Sequence, residues 1–253
     1  MAIIMKRLLS ILLIISLCAV FTACAGKTES SEPEATTSQA VTKAPKATSA
    51  AIQKAERLIR KGVDVSSYSG DIDWKKVKKS GIDFAMIRLG GRGYGAEGGL
   101  YTDKTALDNI DNAKAAGIKV GGYFFSQALT EDEAREEAEY ITKLLDGRKL
   151  SLPIAYDLEK LADEKTRIEN LSYAQGLKNA SIFRKVLEKN GHKTAVYIES
   201  DGFLGAEDFN ESEVWYSDFG KPYENDYLML QYSKEGKVSG IPGATDLNIM
   251  YIN

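Results

Sequence analysis

From Lys61 onward, short apolar runs alternate with amphipathic helical stretches, and this rhythm restricts the possible folds more than any other feature. Strands that alternate with helices favour a mostly parallel sheet, because each connecting helix covers the sheet that it leaves. The rhythm changes after Ile198, where no long helix separates the last predicted strands. The folded part, about 190 residues, is small for a complete eightfold repeat. We therefore expect an α/β fold, an irregular and shortened (β/α) barrel, with an open doubly wound sheet as the alternative.

The individual elements follow from apolar runs and from capping residues. Helix N-caps are predicted at Asp73, at Thr130 with Glu133, and at Ser172 with Gln175. Gly90–Gly99 is predicted to be a loop, and its glycines lack the spacing of a phosphate-binding loop. The predicted strands are Gly62–Val65, Phe84–Leu89, Lys119–Ser126, Leu152–Asp157, Thr194–Ile198, Val214–Ser217, Tyr227–Tyr232 and Asp246–Tyr251.

The N-terminal part indicates export. Two basic residues precede the apolar stretch Leu8–Phe21, which is too short to span a bilayer comfortably and is typical of a signal peptide, residues 1–23. Cys24 follows at once, as in the bacterial lipobox, where the cysteine becomes diacylated; ordinary secretion is the alternative. Residues 24–60 are therefore predicted to be a lipidated cysteine and a flexible linker with a reach of roughly 30 Å. Within it, Ile52–Arg60 is either a short helix or more linker. We expect a lipid-anchored protein on the outer face of a bacterial membrane.

Composition excludes several classes of function. The formal net charge is −3 and the Lys and Arg residues are dispersed along the chain, so the basic footprint of a nucleic-acid-binding protein is missing. A single histidine, His192, and the absence of cysteine after Cys24 leave too few ligands for a transition-metal site. We expect no metal and no cofactor. Carboxylates must then carry any hydrolytic chemistry.

An acidic pair lies at the end of a predicted strand, in Tyr156-Asp157-Leu158-Glu159. Active sites of (β/α) barrels are built at this strand end. Asp157 and Glu159 are two residues apart, so both side chains point to one face, roughly 6.5–7 Å apart along the backbone. Like charges at this spacing favour keeping one carboxyl protonated, as a general acid requires. We assign that role to Glu159, whose longer side chain reaches further out, although such a pair alone is common in solvated loops.

Two further aspartates interrupt apolar strands. Asp64 shares one face with Gly62 and Ser66, and burying it without a partner would be costly. It is either a site residue or half of a structural ion pair, for which Arg88 is the candidate partner. Asp246 opens an alternating face with Asn248, and the alternative is an ordinary turn aspartate.

Aromatic residues end or flank several predicted strands. Aromatic rings pack against the C–H faces of sugars, and tyrosine hydroxyls can bind sugar hydroxyls. Packing in the core is the alternative for some of them. These residues are Tyr68, Tyr123, Phe125, Tyr156, Tyr197, Trp215 and Tyr232.

Taken together, these segments resemble glycoside hydrolase family 25, the Chalaropsis-type lysozymes or N-acetylmuramidases. The resemblance spans Gly62 to Asn248, and residues 61–253 are expected to form the catalytic domain. The matching segments are Gly62-Val63-Asp64-Val65-Ser66, Gly81-Ile82-Asp83-Phe84-Ala85 with Ile87-Arg88, Asp103, Asn109, Ala116-Gly117-Ile118, Val120-Gly121-Gly122-Tyr123, Phe125-Ser126, Pro153-Ile154, Tyr156-Asp157-Leu158-Glu159, Gln231-Tyr232, Gly240-Ile241 and Asp246-Leu247-Asn248.

The resemblance implies a flattened barrel of about five strands and three helices with a C-terminal antiparallel part. It makes Glu159 the catalytic acid and places Asp64, Asp157 and Asp246 in the same site. Arg88 and Gln231 join the aromatic residues Tyr68, Tyr123, Phe125, Tyr197, Trp215 and Tyr232 as expected substrate-binding residues. The chain departs from the family pattern at Phe124, Ala106 and Leu230, which we expect near the cleft.

The implied reaction is hydrolysis of the β-1,4 bond between N-acetylmuramic acid and N-acetylglucosamine in peptidoglycan. Asp157 either attacks the anomeric carbon or orients the 2-acetamido group of the substrate, and spacing does not decide between them. A chitinase-like hydrolase and a non-catalytic wall-binding lipoprotein are the alternatives. We expect a monomer whose partners are glycan strands and, through Cys24, the membrane.

Overall fold

The structure is a computed structural model that describes residues 59–161, 165–219 and 227–251. The predicted signal peptide, Cys24 and most of the predicted linker lie outside these residues. Within the described ranges, no helix is long and apolar enough to cross a bilayer.

The described residues form nine strands and four α-helices. The strands are β1 (Ile59–Val65), β2 (Phe84–Arg92), β3 (Leu100–Thr102), β4 (Lys119–Phe125), β5 (Ile154–Asp157), β6 (Thr194–Glu199), β7 (Val214–Ser217), β8 (Met229–Gly236) and β9 (Thr245–Tyr251). The α-helices are α1 (Trp74–Lys79), α2 (Ala106–Ala115), α3 (Glu131–Leu145) and α4 (Tyr173–Lys189).

Eight strands close into a barrel. Seven of them, β1, β2, β4, β5, β6, β7 and β8, pair in parallel in that order. The eighth, β9, is antiparallel to both β8 and β1 and closes the ring, while β3 pairs antiparallel with the outer edge of β2. The irregular α/β barrel is thus confirmed, and its closure excludes the open doubly wound sheet. The strand number exceeds the expected five because β6, β7 and β8 continue the parallel barrel with no α-helix between them in the described residues.

Two predicted boundaries are wrong for physical reasons. β1 begins at Ile59, so Ile59 and Arg60 belong to a strand that pairs with β9 and not to a helix or linker. The predicted glycine loop begins too early, since Gly90 and Gly91 extend β2 and pair with β3. A β-carbon on Gly90 would lie 2.1 Å from the carbonyl oxygen of Tyr101, so glycine is what lets β3 approach.

The predicted N-caps are confirmed. The side chains of Asp73, Thr130 and Ser172 accept hydrogen bonds from the third following backbone N–H at 3.1, 3.2 and 3.2 Å. In a capping box, Glu133 would also accept a hydrogen bond from the backbone N–H of Thr130. At α3 the Glu133 carboxylate accepts instead from the backbone N–H of Leu129. These caps satisfy N–H groups that have no partner within the helix.

Strand alternation divides the buried side chains into two layers. One layer packs the outside of the barrel against the helices, and it includes Val63, Phe124 and Phe183. The other fills the barrel interior, where Phe84, Met86, Ala155, Ala195, Met229 and Met250 form an apolar floor. The next inward-facing positions toward the strand C-termini are polar. This change from an apolar to a polar layer places the candidate site.

Candidate active site

Inward-facing side chains at the C-terminal ends of the parallel strands enclose a cavity of about 200 Å³. All four predicted acids line it, which brings residues from β1, β5, the segment after β5, and β9 to one place. Asp64 lies on the inward face that strand parity predicted, while Val63 and Val65 pack outside. The lining residues are Asp64, Tyr123, Asp157, Glu159, Tyr197, Trp215, Gln231, Lys234 and Asp246.

Asp64 is held by two side-chain amides. Its Oδ2 accepts a hydrogen bond from Gln231 Nε2 at 2.9 Å and another from Asn248 Nδ2 at 2.7 Å. The carbonyl oxygens of these amides are themselves occupied, Gln231 Oε1 by the hydroxyls of Tyr197 and Ser217 and Asn248 Oδ1 by Trp215 Nε1. Because each amide oxygen already accepts, each amide NH₂ must face Asp64. The network therefore fixes the orientation of this carboxyl group.

Asp64 and Asp246 form a carboxyl pair across the β1–β9 junction, where they are directly opposed. Burial, followed by the charge of Asp246, raises the pKa of Asp64 to about 8. Burial also raises the pKa of Asp246, while its hydrogen bond with Asp64 works in the opposite direction. Since both amides bind Oδ2 of Asp64, its other oxygen is left to hold a proton toward Asp246. At neutral pH the pair shares one proton.

Asp157 and Glu159 form a second carboxyl pair. Asp157 is buried, with 5% of its surface exposed, and its Oδ1 has no hydrogen-bond partner within the described residues. Burial, followed by the charge and hydrogen bonding of Glu159, raises the pKa of Asp157 well above its ordinary value. Glu159 is less buried and borders the open side of the cavity. The raised pKa expected from the sequence thus falls on the inner member of the pair, because that member is the more desolvated.

The backbone at Glu159 is fixed from behind. Gln127 is fully buried, and its Nε2 donates to the carbonyl oxygen of Glu159 at 2.9 Å. Arg167 donates to the carbonyl oxygen of Gln127 at 3.2 Å and forms an ion pair with Glu133 at 2.9 Å. Sequence reasoning did not single out Gln127, since its partner lies beyond the following helix and strand.

The predicted aromatic residues separate into three groups. Tyr123, Tyr197 and Trp215 line the cavity, and Trp215 makes edge contacts with both tyrosines at ring distances of 5.8 and 4.9 Å. Phe125 lies on the same inward face of β4, half-buried. Tyr156 is in the outer layer against Phe183, so core packing is the correct reading for it. Outside the cavity lining, Tyr232 is 39% exposed and Tyr68 is 89% exposed.

The ion pair considered for Asp64 and Arg88 is wrong. Arg88 instead binds Asp103, with Nε donating to Oδ2 at 2.9 Å, and its guanidinium lies 4.9 Å from the ring centre of Tyr68. Asp103 also accepts from the backbone of Ser67 and Thr105. Arg88 therefore pairs with Asp103 and not with Asp64, whose Oδ2 already accepts hydrogen bonds from two side-chain amides. Arg88 still faces the barrel mouth from β2, beside Tyr123.

Comparison with known proteins identifies the family. The family model described as glycosyl hydrolases family 25 matches residues 63–241, more than half of the chain. The chain belongs to glycosyl hydrolase family 25. The solved family 25 glycosyl hydrolase from Bacillus anthracis is 28% identical with a TM-score of 0.64, covering 77% of this chain and 89% of that one.

Two other similar proteins are longer than this chain. The autolytic lysozyme of Clostridium acetobutylicum is 30% identical over 195 residues, 74% of this chain and 55% of the relative. This chain thus spans about half the length of that curated relative. The modular autolysin LytC of Streptococcus pneumoniae, solved with a synthetic peptidoglycan ligand, is 26% identical with a TM-score of 0.64, and the match covers 76% of this chain and 47% of LytC.

A larger cavity of about 770 Å³ adjoins the acidic one, and Glu159 and Lys234 line both. Glu199 also lines it, and burial together with the charge of Glu159 raises the pKa of Glu199. Lys234 Nζ lies 3.8 Å from Glu199 and 4.6 Å from the ring centre of Phe219. The sequence did hold a signal for Glu199, since it is two residues after Tyr197 and shares its inward face.

The departures from the family 25 pattern lie mostly away from the cavity. Phe124 packs outside the barrel against Tyr140 and Phe183, so the expectation that it lies near the cleft is wrong. Leu230 is buried between the inward-facing Met229 and Gln231 and so points outward. Ala106 is fully buried at the start of α2. Among the described residues, no group of three or more His, Cys, Asp or Glu side chains is arranged so that it could hold a metal ion.

Proposed function

We propose that this chain is a muramidase, which hydrolyses the β-1,4 bond between N-acetylmuramic acid and N-acetylglucosamine in peptidoglycan. The observation that carries the proposal is the convergence of Asp64, Asp157, Glu159 and Asp246 on one cavity at the barrel rim. Two carboxyl groups that flank a glycosidic bond are the common requirement of glycosidases. The names of the family 25 relatives, an autolytic lysozyme and an autolysin solved with a peptidoglycan ligand, support the same substrate class.

Glu159 is the proposed general acid. It borders both cavities, which is where the oxygen of a bond spanning them would lie. A proton shared with buried Asp157 can pass through Glu159 to the leaving oxygen. The hydrogen bond from Gln127 to the Glu159 carbonyl holds the acid in place.

Asp157 is proposed to face the anomeric centre. Its carboxyl group lines the acidic cavity, where it is proposed to meet either the anomeric carbon or the N–H of a 2-acetamido group. Once the proton has passed to Glu159 and on to the leaving oxygen, ionised Asp157 stabilises the oxocarbenium-like centre. Both routes give net retention of configuration. The Asp64–Asp246 pair then shapes the remaining wall of the site.

The smaller cavity suits one sugar ring. Tyr123, Tyr197 and Trp215 offer ring edges and faces for its C–H groups. Gln231 acts mainly through Asp64, since both ends of its amide bind protein. The remaining proposed substrate contacts, outside this cavity, are Tyr68, Arg88, Phe125 and Tyr232.

The decisive experiment is Glu159→Gln. Loss of the general acid should lower the release of reducing ends from purified wall by about 100- to 10,000-fold, with the thermal transition unchanged. Glu139→Gln is the matched control, because Glu139 is exposed on α3 away from both acidic pairs. Mass spectrometry of the fragments should find muramic acid at the new reducing end. Wild-type activity in Glu159→Gln, or cleavage of soluble chitin oligomers in preference to wall, contradicts the proposal.

We also propose that the mature protein is anchored to the outer face of the membrane through a diacylated Cys24, after removal of residues 1–23. The support is the apolar stretch Leu8–Phe21 immediately before the cysteine. Cells fed an alkyne fatty acid should label the wild-type chain and not Cys24→Ser, and the variant should leave the membrane fraction. Equal labelling of both chains would rule out this anchor.

A further inference from the structure

The end of the barrel opposite the acidic cavity is basic. Strand N-termini and helix C-termini meet at this end, because every connecting helix of a (β/α) barrel runs back toward it. Five lysines with exposed side chains follow the arc from β4 to β6. We call them the basal lysine cluster: Lys114, Lys119, Lys149, Lys189 and Lys193.

Close contacts link the lysines of this cluster. Lys114 Nζ donates to the carbonyl oxygen of Lys149 at 3.2 Å. The ammonium of Lys149 lies over Gly191, 3.4 Å from where a β-carbon would stand, and so reaches the loop between Lys189 and Lys193. Lys119 precedes Val120, whose N–H donates to Ser151 at 3.1 Å, just after Lys149. The five lysines therefore form one surface.

This surface keeps its positive charge. Among the described residues, no carboxylate lies within 4.0 Å of the five ammonium groups. Neighbouring acids are engaged elsewhere, Asp111 with Arg148 and Glu188 with Arg184 and Thr194. Asp83, whose carbonyl oxygen accepts from the backbone N–H of Lys119, is paired with Lys78. Exposed Asp146 also lies beside the cluster, and Glu211 and Glu213 limit the cluster toward β7. Burial and the charge of Lys149 lower the pKa of His192, as a positive local field requires.

Stabilisation of helix ends does not explain the whole cluster. Lys114 and Lys189 lie in the last turns of α2 and α4, where a cation favours the helix dipole. Lys119 begins a strand, and Lys149 and Lys193 lie in the connections before β5 and β6. Those three positions have no helix terminus of their own to stabilise.

The chain also enters the barrel at this end. β1 runs parallel to β2 and begins at Ile59, so the described part of the chain begins at the end of the barrel away from the acidic cavity. We propose that the basal lysine cluster docks on anionic lipid headgroups and turns the acidic cavity away from the bilayer. This inference rests on the proposed membrane anchoring and is independent of the proposed hydrolysis. A lysine near an anionic membrane strengthens binding roughly fivefold, so five suffice to orient a tethered domain.

The test is a lysine footprint on the full chain reconstituted into vesicles. Acetylation by an amine-reactive ester is followed by mass spectrometry, in phosphatidylcholine vesicles with and without phosphatidylglycerol. The cluster lysines should react at least fivefold more slowly when phosphatidylglycerol is present, and 0.5 M salt should restore their reactivity, as expected for screened charges. Lys75 and Lys104, exposed near the opposite end, should not change.

Charge reversal supplies the matched comparison. Lys149→Glu with Lys193→Glu should abolish protection of the other cluster lysines, whereas Lys75→Glu with Lys104→Glu, the same change in net charge, should preserve it. Both double variants should still release reducing ends from purified wall, which separates this test from that of the hydrolase. Equal reactivity in the two kinds of vesicle overturns the proposal. Protection by purified wall polymers but not by phosphatidylglycerol does so too, because the partner would then be a wall polyanion.

Discussion

At the scale of single residues, Asp64 makes stability depend on pH. Its folded-state pKa of about 8 is above the ordinary 3.8, so the folded chain holds a proton that the unfolded chain releases. The unfolding free energy should therefore fall as pH rises from about 4 to about 8, and level off above that. The carboxylate of Asp103 works in the opposite sense, because hydrogen bonds from the backbone of Ser67 and Thr105, and then from Arg88, outweigh burial and lower its pKa, so its contribution to stability is lost only in acid.

Asp64→Asn tests this linkage. The asparagine carbonyl can accept from Gln231 and Asn248, and its NH₂ can donate to Asp246, so the variant imitates the protonated carboxyl. We expect urea unfolding to give equal stabilities near pH 4 and, at pH 8.5, a variant more stable than wild type by about 5 kcal/mol, the free energy that corresponds to a rise in pKa from 3.8 to about 8. Asp71→Asn, an exposed site, is the control, and parallel curves for Asp64→Asn and wild type would refute the shared proton.

The acids could be predicted from the sequence, but not their partners. Strand parity is a local property, so it placed Asp64 on one face with Gly62, Asp157 on one face with Glu159, and Asp246 on one face with Asn248. The amides that hold Asp64 are 167 and 184 residues away along the chain, and only closure of the barrel brings them together. The same reason explains why Arg88 was paired with the wrong aspartate.

At the scale of elements, the sequence predicted the starts of helices better than the boundaries of strands. Caps at Asp73, Thr130 and Ser172 are formed by side chains that bind their own helix, so local sequence suffices. β2 runs three residues beyond the prediction because β3 supplies a partner for Gly90 and Gly91. β8 similarly continues to Gly236 along β9. Strand length depends on a neighbouring strand, which one segment of sequence does not reveal.

At the scale of the whole molecule, closure depends on the junction of the first two strands. Gly62 of β1 is directly opposite Phe84 of β2 and points to the same interior floor. A β-carbon on Gly62 would lie 2.3 Å from two carbons of the Phe84 ring. Phe84 is fully buried, packed in the interior floor with Met86 and Met250. The barrel thus closes because one strand leaves room for a ring from its neighbour.

Gly62→Ala should therefore destabilise the whole barrel by about 1–3 kcal/mol, the usual penalty of overpacking, and lower the thermal transition measured by calorimetry. Gly95→Ala is the matched control, since nothing lies within 4 Å of its β-carbon position. Adding Phe84→Leu should relieve the clash. The double variant should then lose less unfolding free energy than the sum of the losses of the two single variants, by at least about 0.5 kcal/mol, the lower end of the coupling energies between contacting residues. Additive losses would mean that Gly62 is needed for some reason other than the Phe84 ring.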